Sequence, residues 1–369
     1  MAKITVIFLI YNDAQYVPGL VDAILKQRHP NHRDASEWLD VLFMDNGSRD
    51  GTDQAIREAL ARAGSPSHIK LEVNAQNMGI SGALNKAFQM VKTPFALTCH
   101  CDVLFGRPDY VGKMLEHLEK NPRAAMITGQ PTIPAKPGGL PFSEKVNLIA
   151  NLMDIFPAGR SAASVGSDDD ELVPVGFAES RCDGFRVEAL KAVGYYNTTL
   201  RLAGEDQIMA AQLREAGYEV YQAPKLPYYL SVSSDQDSLY KLVKHQRLFG
   251  RAHPYILLKH RNTLAGVAGS LAGSNRQIRS MLRVSQVFST FVYLWSALQF
   301  FSHAGFGSWV LPLILVFFVK LAVFARHFSA IPLTFSEFVA FFALQPVLDI
   351  SYAVGLVQGL WQLRRESIS

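Results

Sequence analysis

Met44-Asp45-Asn46-Gly47-Ser48-Arg49-Asp50-Gly51-Thr52 is the stretch that decides how this chain is read. The run before it, Leu39-Asp40-Val41-Leu42-Phe43, is largely apolar, and the segment after it carries Ile56, Leu60 and Ala63 at helical spacing. A buried strand therefore runs into a polar turn and then a helix. In open α/β sheets, ligands sit beyond the carboxyl ends of the strands, where such turns gather. Asp45 stands at that end, where a carboxylate can accept hydrogen bonds from the N–H and O–H groups of a base or ribose. An acidic strand-end turn also serves as a plain helix cap with solvating neighbours. The rest of the chain has to discriminate.

Outward from that stretch, strand and helix alternate. Ile4 to Ile10 is a continuous β-rich run, as in a strand buried on both faces. Tyr11-Asn12-Asp13 is a polar turn, and Val17, Leu20, Val21, Ile24 and Leu25 then repeat at helical spacing. The helix after Thr52 is expected to end at Gly64. His68 to Val73 is a third strand. Asn77-Met78-Gly79 turns into a helix with Leu84, Phe88 and Val91, and Phe95 to Cys99 is a fourth strand. This βαβ series predicts an α/β fold with a mainly parallel sheet and helices on both faces. Residues 158–173, with Asp168-Asp169-Asp170-Glu171, read as a mobile loop. Arg186 to Ala192 and Glu205 to Ala216 read as helices, and Tyr218 to Gln222 as a short strand.

The composition splits the 369 residues in two. Residues 1–255 mix charge and apolar residues as a globular domain does, and residues 256–283 form a basic linker with Lys259, His260, Arg261, Arg276, Arg279 and Arg283. From residue 284 the charges thin and Phe, Leu and Val dominate. Three apolar segments, 284–301, 309–325 and 338–361, are expected to be membrane helices, since spanning a bilayer takes roughly 17 to 25 residues. The first two are at the short end of that range. Three full spans would put Arg364 and Arg365 on the outside, against the rule that cytoplasmic flanks carry Lys and Arg, so one short segment is expected to lie flat or re-enter. Lys320 and Asp349 are the charges within these runs, and a mutual pair is open to them. A net charge of +4 with no basic-aromatic stripe argues against nucleic acid. Cys99, Cys101 and Cys182 have neither a disulfide framework nor zinc spacing, which predicts reduced, buried thiols. The chain opens on a strand pattern without a signal peptide, so the soluble part is expected on the cytoplasmic side of the membrane.

Two further acidic positions bear on chemistry. His100-Cys101-Asp102 follows the fourth strand, on the same sheet edge as Asp45. An Asp there can ligate a hard divalent cation that neutralises a diphosphate, or can simply cap a turn. Gly204-Glu205-Asp206 opens a helix. Carboxylates at a helix start are favoured by the dipole alone, but one of them can also be a general base that removes a proton from an attacking hydroxyl.

The ordered set formed by Thr5 to Asn12, Asp45 to Thr52, Asn77-Met78-Gly79 with Ala83-Leu84-Asn85, Asp102, and Glu205-Asp206 with Arg214 and Ala216-Gly217-Tyr218 resembles family 2 glycosyltransferases of the GT-A fold. The resemblance covers residues 3 to about 255. With the apolar tail, it is closest in kind to membrane-anchored members that build bacterial exopolysaccharides on lipid carriers. It implies that Tyr11 stacks near the nucleotide base and Asp45 hydrogen-bonds it, with Asn85 near the diphosphate or sugar. Asp102 matches the last position of the Asp-x-Asp metal motif, which holds a divalent cation (Mg²⁺ or Mn²⁺). Asp206, with Glu205 beside it, matches the acidic pair whose Asp is the catalytic base of an inverting displacement. The implied donor is a nucleotide-sugar, and the implied acceptor a hydroxyl on a polyprenyl-diphosphate-linked glycan. A polyprenyl-phosphate acceptor and an inactive nucleotide-sugar-binding scaffold are the alternatives.

The chain departs from the pattern in three places. His100 replaces the first Asp of the metal motif and serves as a ligand or as a spacer. Pro227-Tyr228-Tyr229 stands where many members carry a His. Lys244 to Arg251 resembles the basic acceptor-side helix but lacks the Gln-x-x-Arg-Trp signature of processive synthases.

Overall fold

The computed structural model describes residues 2–32, 34–133, 139–151, 156–157, 171–178, 181–198, 204–230, 238–260, 275–303 and 305–366. Most of the 158–173 loop expected from the sequence lies outside these residues. The principal strands are β1 (Ile4–Ile10), β2 (Leu39–Asp45), β3 (Ile69–Val73), β4 (Phe95–His100), β5 (Val103–Phe105), β6 (Ala124–Ile133), β7 (Cys182–Arg186) and β8 (Glu219–Leu230). The helices are α1 (Val17–Leu25), α2 (Thr52–Arg62), α3 (Gly79–Met90), α4 (Tyr110–Lys120), α5 (Phe142–Ala150), α6 (Val187–Ala192), α7 (Glu205–Glu215), α8 (Leu239–Lys259), α9 (Asn275–Phe301), α10 (Phe306–Ala330) and α11 (Phe335–Glu366).

The chain divides into two compact units. One comprises Met1–Pro134 with Ala163–Ser231, and the other Ala135–Ala162 with Val232–Ser369. The division falls after residue 231 and not near 255, because α8 packs along α11. The segment with α5 also belongs to the second unit.

The first unit is a mixed sheet in the order β3-β2-β1-β4-β7-β6-β8-β5. β3, β2, β1 and β4 run parallel to one another. β7 is antiparallel to both β4 and β6, and β8 is parallel to β6. β7 thus interrupts an otherwise parallel sheet, and β5 closes the edge antiparallel to β8. β8 runs through residue 230, well past the short strand expected at 218–222, with a register shift between Gln222 and Pro227. Pro224 and Pro227 lack the N–H that a regular ladder requires, which explains why the pattern looked broken.

β1 is buried at every residue. One continuous core joins Ile7, Leu42 and Met44 of β1 and β2 to Leu84 and Phe88 of α3, Phe185 of β7, and Met209 and Leu213 of α7. On the opposite face, the Cα of Gly184 meets the Met114 side chain of α4 so closely that a Cβ would overlap it.

The second unit is helical, and its burial pattern is reversed. Gln246, Gln286, Ser289, Lys320, Asp349 and His327 are buried, while Phe291, Leu298, Leu311, Phe318 and Val357 are each about 60 % or more exposed. Lys320 of α10 pairs with Asp349 of α11 at 2.7 Å, the two side chains being 1 % and 0 % exposed. The Tyr293 hydroxyl donates to Asp349 at 3.4 Å. The Gln246 amide donates to Asn151 at 2.6 Å and its oxygen accepts from Arg283 and Gln286. α10 and residues Phe335–Arg364 of α11 are long and apolar enough to cross a membrane. α9 is not among the helices that meet that test. It begins at Asn275 and so takes in Arg276, Arg279 and Arg283, nine residues before the apolar run expected at 284.

Candidate active site

Parallel pairing puts several sequence-marked positions at one edge. β1 and β2 are in register with Ile10 opposite Asp45, and β1 and β4 with Leu9 opposite His100. Tyr11, Asp45, His100 and Asp102 therefore lie at or just beyond three adjacent strand ends. Tyr11 is 43 % exposed, while Asp45 and Asp102 are buried at 1 % and 5 %.

The loops at this edge are laced together by short polar side chains. Asp45 Oδ1 accepts from the Ser48 main-chain N–H at 3.0 Å and from the Ser48 hydroxyl at 2.6 Å. Ser48 Oγ in turn accepts the Asn12 N–H at 2.8 Å, and Asn12 Oδ1 accepts the Arg49 N–H at 2.9 Å. Asn12 holds a φ of 55°, a left-handed conformation that Asn tolerates better than most residues. Asp50 ties the same loop to the Ala14 N–H and to Thr52. The Cys101 thiol donates to Asp13 Oδ2 at 2.9 Å, joining the end of β4 to the turn after β1. Burial, the Asp13 carboxylate and Asp102 all push the Cys101 thiol far above its ordinary range, so it is a neutral donor here.

Gly47 is required by two constraints at once. Its φ is +78°, and a Cβ there would lie 2.6 Å from the Gln76 carbonyl carbon. That close approach brings the β3–α3 turn beside the β2 end. Asn46 clamps it. Its Oδ1 accepts from Asn74 Nδ2 and the Met78 N–H, and its Nδ2 donates to Asn77 Oδ1 and the Gly79 carbonyl.

The other positions differ in what their side chains do. Asn85 braces α3 to the segment after α6, with Oδ1 accepting the Tyr196 N–H at 2.8 Å and Nδ2 donating to the Tyr196 carbonyl at 2.9 Å. Both of its polar atoms are thus engaged by main chain. The His100 ring has a buried Nε2 without a hydrogen-bond partner. Burial lowers its pKa and Arg181 adds to this, while Asp102 opposes it, so the imidazole is kept neutral. A neutral imidazole beside a carboxylate can ligate a metal. Among the described residues no group of three or more His, Cys, Asp and Glu is gathered for a metal. A cation held by Asp102 and His100 would complete its shell with substrate phosphates and water, which is how Mg²⁺-type sites are commonly built.

Glu205 and Asp206 open α7 from Gly204, whose φ is 88°. α7 packs on β8 and leads back to its start, so the helix runs against the strand. Its first turn is thereby directed toward the carboxyl edge. Arg214, at the other end, anchors the helix by donating to the carbonyls of Gly176 and Val175. Asp206 Oδ1 accepts the Gln207 N–H at 2.7 Å. Glu205 Oε2 is buried without a hydrogen-bond partner. Burial raises the Glu205 pKa, and its own main-chain N–H offsets that only in part.

The model of the family described as Glycosyl transferase family 2 matches residues 5–189, half of the chain. The chain belongs to glycosyl transferase family 2. By that membership it is a glycosyltransferase, and its mixed sheet with flanking helices is the GT-A fold expected from the sequence. The matched span contains Tyr11, Asp45, Asn85, His100 and Asp102 and ends before Glu205.

Among curated proteins, the family 2 chain is 24 % identical over 238 residues to a poly-beta-1,6-N-acetyl-D-glucosamine synthase of Staphylococcus epidermidis, covering 64 % of this chain and 52 % of that protein. The same enzyme from another strain of that species is 23 % identical over the same length. The chain spans about half the length of these relatives. Among solved structures, the mannosyltransferase PcManGT from Pyrobaculum calidifontis, in complex with GDP-Man and Mn²⁺, has a TM-score of 0.53 at 14 % identity, covering 98 % of this chain and 87 % of that one. That likeness is one of fold.

Sequence reasoning missed Asn12 and Asn46. Their type and their place in the two polar turns were visible, but their roles depend on loops that meet only in the fold.

Proposed function

We propose that this chain is a membrane-associated, inverting glycosyltransferase. It moves a sugar from a nucleotide-sugar to a hydroxyl of a polyprenyl-diphosphate-linked glycan. The observation that carries the proposal is the edge where β1, β2 and β4 end side by side, with Asp45 and Asp102 buried at adjacent strand ends. The relatives add support: one is a poly-beta-1,6-N-acetyl-D-glucosamine synthase, and a structural neighbour holds GDP-Man and Mn²⁺.

Tyr11 offers an exposed ring for the base to stack on, and Asp45 accepts a hydrogen bond from it. Ser48 holds the Asp45 carboxylate in place through Oδ1. Asn85 supports the donor site indirectly, through the brace it makes to Tyr196. Asp102, with His100, would hold a divalent cation, Mg²⁺ or Mn²⁺, which when bound neutralises the charge of the leaving diphosphate. Asp206 takes the proton from the acceptor hydroxyl. The oxygen forms a bond to the anomeric carbon as the bond from that carbon to the diphosphate oxygen breaks, with the electron pair leaving on the diphosphate. Attack from the opposite face inverts the centre. Glu205, whose pKa burial raises, stands beside the base in the chain.

The reversed burial of the second unit supports membrane association, because side chains facing lipid are apolar and polar ones turn inward. Residues 284–369 are read as the membrane region, α10 and α11 as its spans, and the catalytic unit as facing the cytoplasm.

The test is Asp206→Asn, with donor binding measured by calorimetry and sugar transfer measured separately. Transfer should fall by roughly 10² to 10⁴ with donor affinity unchanged. Near-wild-type transfer would mean an acceptor already ionised, such as a polyprenyl phosphate, or a base at Glu205. Absence of transfer from any nucleotide-sugar by the wild type would leave a binding scaffold.

A further inference from the structure

α8 is a 21-residue helix with five cationic side chains, Lys241, Lys244, Arg247, Arg251 and Lys259, and no Asp or Glu. Residues 240, 244, 247, 251 and 258 follow one line along a helix. All five positions on that line, Tyr240, Lys244, Arg247, Arg251 and Leu258, are exposed. Behind this line α8 lies against α11 at very short range. A Cβ on Gly250 would overlap the Tyr352 carbonyl, and one on Gly355 or Gly359 would overlap the carbonyls of Arg247 or Arg251. Ser351 donates to the Val243 carbonyl at 2.8 Å, Arg247 to Gln358 at 3.0 Å and Arg251 to Gln362 at 2.7 Å. The contacts advance together along both helices, so α8 and α11 run parallel.

The partners of the two arginines are neutral amides. Among the described residues no carboxylate lies within salt-bridge distance of Lys244, Arg247 or Arg251, so within that set three adjacent positive charges on one face have no counter-charge. Exposed Leu257, Leu258 and Trp361 flank them. Cations bordered by apolar and aromatic side chains suit the boundary between headgroups and acyl chains.

We propose that this face of α8 and α11 docks on the anionic phospholipid headgroups of the bilayer surface. The proposal rests on the membrane reading above and deepens it. Arg247 and Arg251 reach Gln358 and Gln362 of α11, so the last turns of that span sit at headgroup level and the residues before them cross the hydrocarbon.

The test uses the full chain in neutral detergent, titrated with mixed micelles containing phosphatidylglycerol or phosphatidylcholine and followed by tryptophan fluorescence. The wild type should prefer phosphatidylglycerol, and added salt should weaken the preference. Lys244→Gln, Arg247→Gln and Arg251→Gln together should reduce it by roughly fivefold per residue, on the order of 100-fold in all. Arg247→Lys with Arg251→Lys should retain it. The proposal is overturned if the triple variant behaves as wild type. It is also overturned if the lysine variant fails as completely as the triple, since the arginines would then act only as braces to Gln358 and Gln362. Saturation by one polyprenyl phosphate per chain, with no phosphatidylglycerol preference, would give the face to a lipid-linked acceptor instead. Flotation of the wild type on neutral phosphatidylcholine vesicles tests the membrane reading by itself. Its failure refutes that reading, whereas flotation without a phosphatidylglycerol preference refutes only the docking face.

Discussion

The two units bury opposite kinds of side chain. In the first, the interior is Ile, Leu, Met and Phe between sheet and helices, and the polar groups gather in the turns beyond the strand ends. In the second, glutamines, serines and an ion pair lie inside, and Phe, Leu and Val face outward. On the membrane reading proposed above, burial follows solvent. An aqueous unit hides what water excludes, and a unit in lipid gains nothing by hiding apolar groups but must satisfy its polar ones internally. A polar residue therefore means different things in the two. In the first it marks a surface or a reacting edge. In the second it holds helices together.

The sharpest test of the first half of that comparison is Asp206. A polar group at the reacting edge should be dispensable for folding and decisive for chemistry, so Asp206→Asn should keep the melting temperature while slowing transfer by roughly 10² to 10⁴. A drop in stability matching the drop in rate would make the residue structural.

The second half is tested at Lys320. Lys320→Ala leaves Asp349 buried without its partner, at a cost of about 3–5 kcal/mol. Changing both residues to Leu should recover most of that, because a well-packed apolar pair is tolerated where a single charge is not. Thermal unfolding in detergent reads both variants. If the single variant is as stable as wild type, water reaches this site and the inside-out account of the unit fails.

Asp45 sharpens the comparison further, since it is both buried and at the carboxyl edge of the strands. Asp45→Ala should weaken binding of the nucleoside diphosphate by about 1–3 kcal/mol in calorimetry. It should also loosen the Ser48 turn, seen as faster amide exchange at Asn12 and Ser48.

The smallest effect is one of pH in the second unit. Burial, with help from Arg283, pushes the His253 imidazole down to about 3. Its Nδ1 lies 2.8 Å from the Tyr352 hydroxyl. The unfolded chain takes up a proton near pH 6.5 and the folded chain does not, so the stabilisation is present above about 6.5 and is lost as pH falls from there toward 3. Melting temperatures measured from pH 7 to 5 should decline in the wild type and decline less in His253→Gln. Equal slopes would show that other groups carry the dependence.

Much of the first unit could be read in the sequence because its signals are local. A continuous apolar run such as Ile4–Ile10, followed by a polar turn and a 3.6-residue period, specifies strand and helix within about twenty residues. Asp45, Asp102 and Glu205-Asp206 stood out because carboxylates at strand and helix ends are conspicuous. Asn85 was marked by the family resemblance alone; its amide is spent on the Tyr196 main chain, and nothing in the order of residues distinguishes a brace from a ligand.

The sequence by itself determined the βαβ order, the apolar tail, the family resemblance and the acidic positions at the sheet edge, since each depends on neighbours in the chain or on a short motif. Only the tertiary structure decided the rest. It inserted β7 antiparallel, carried β8 through its prolines to Leu230, and joined the loops of β1, β2 and β3 through Asn12 and Asn46. It also moved α5 and α8 into the helical unit and paired Lys320 with Asp349. These depend on contacts between residues tens to hundreds of positions apart. Local propensity carries no information about such contacts, and they form only once packing has closed the intervening chain.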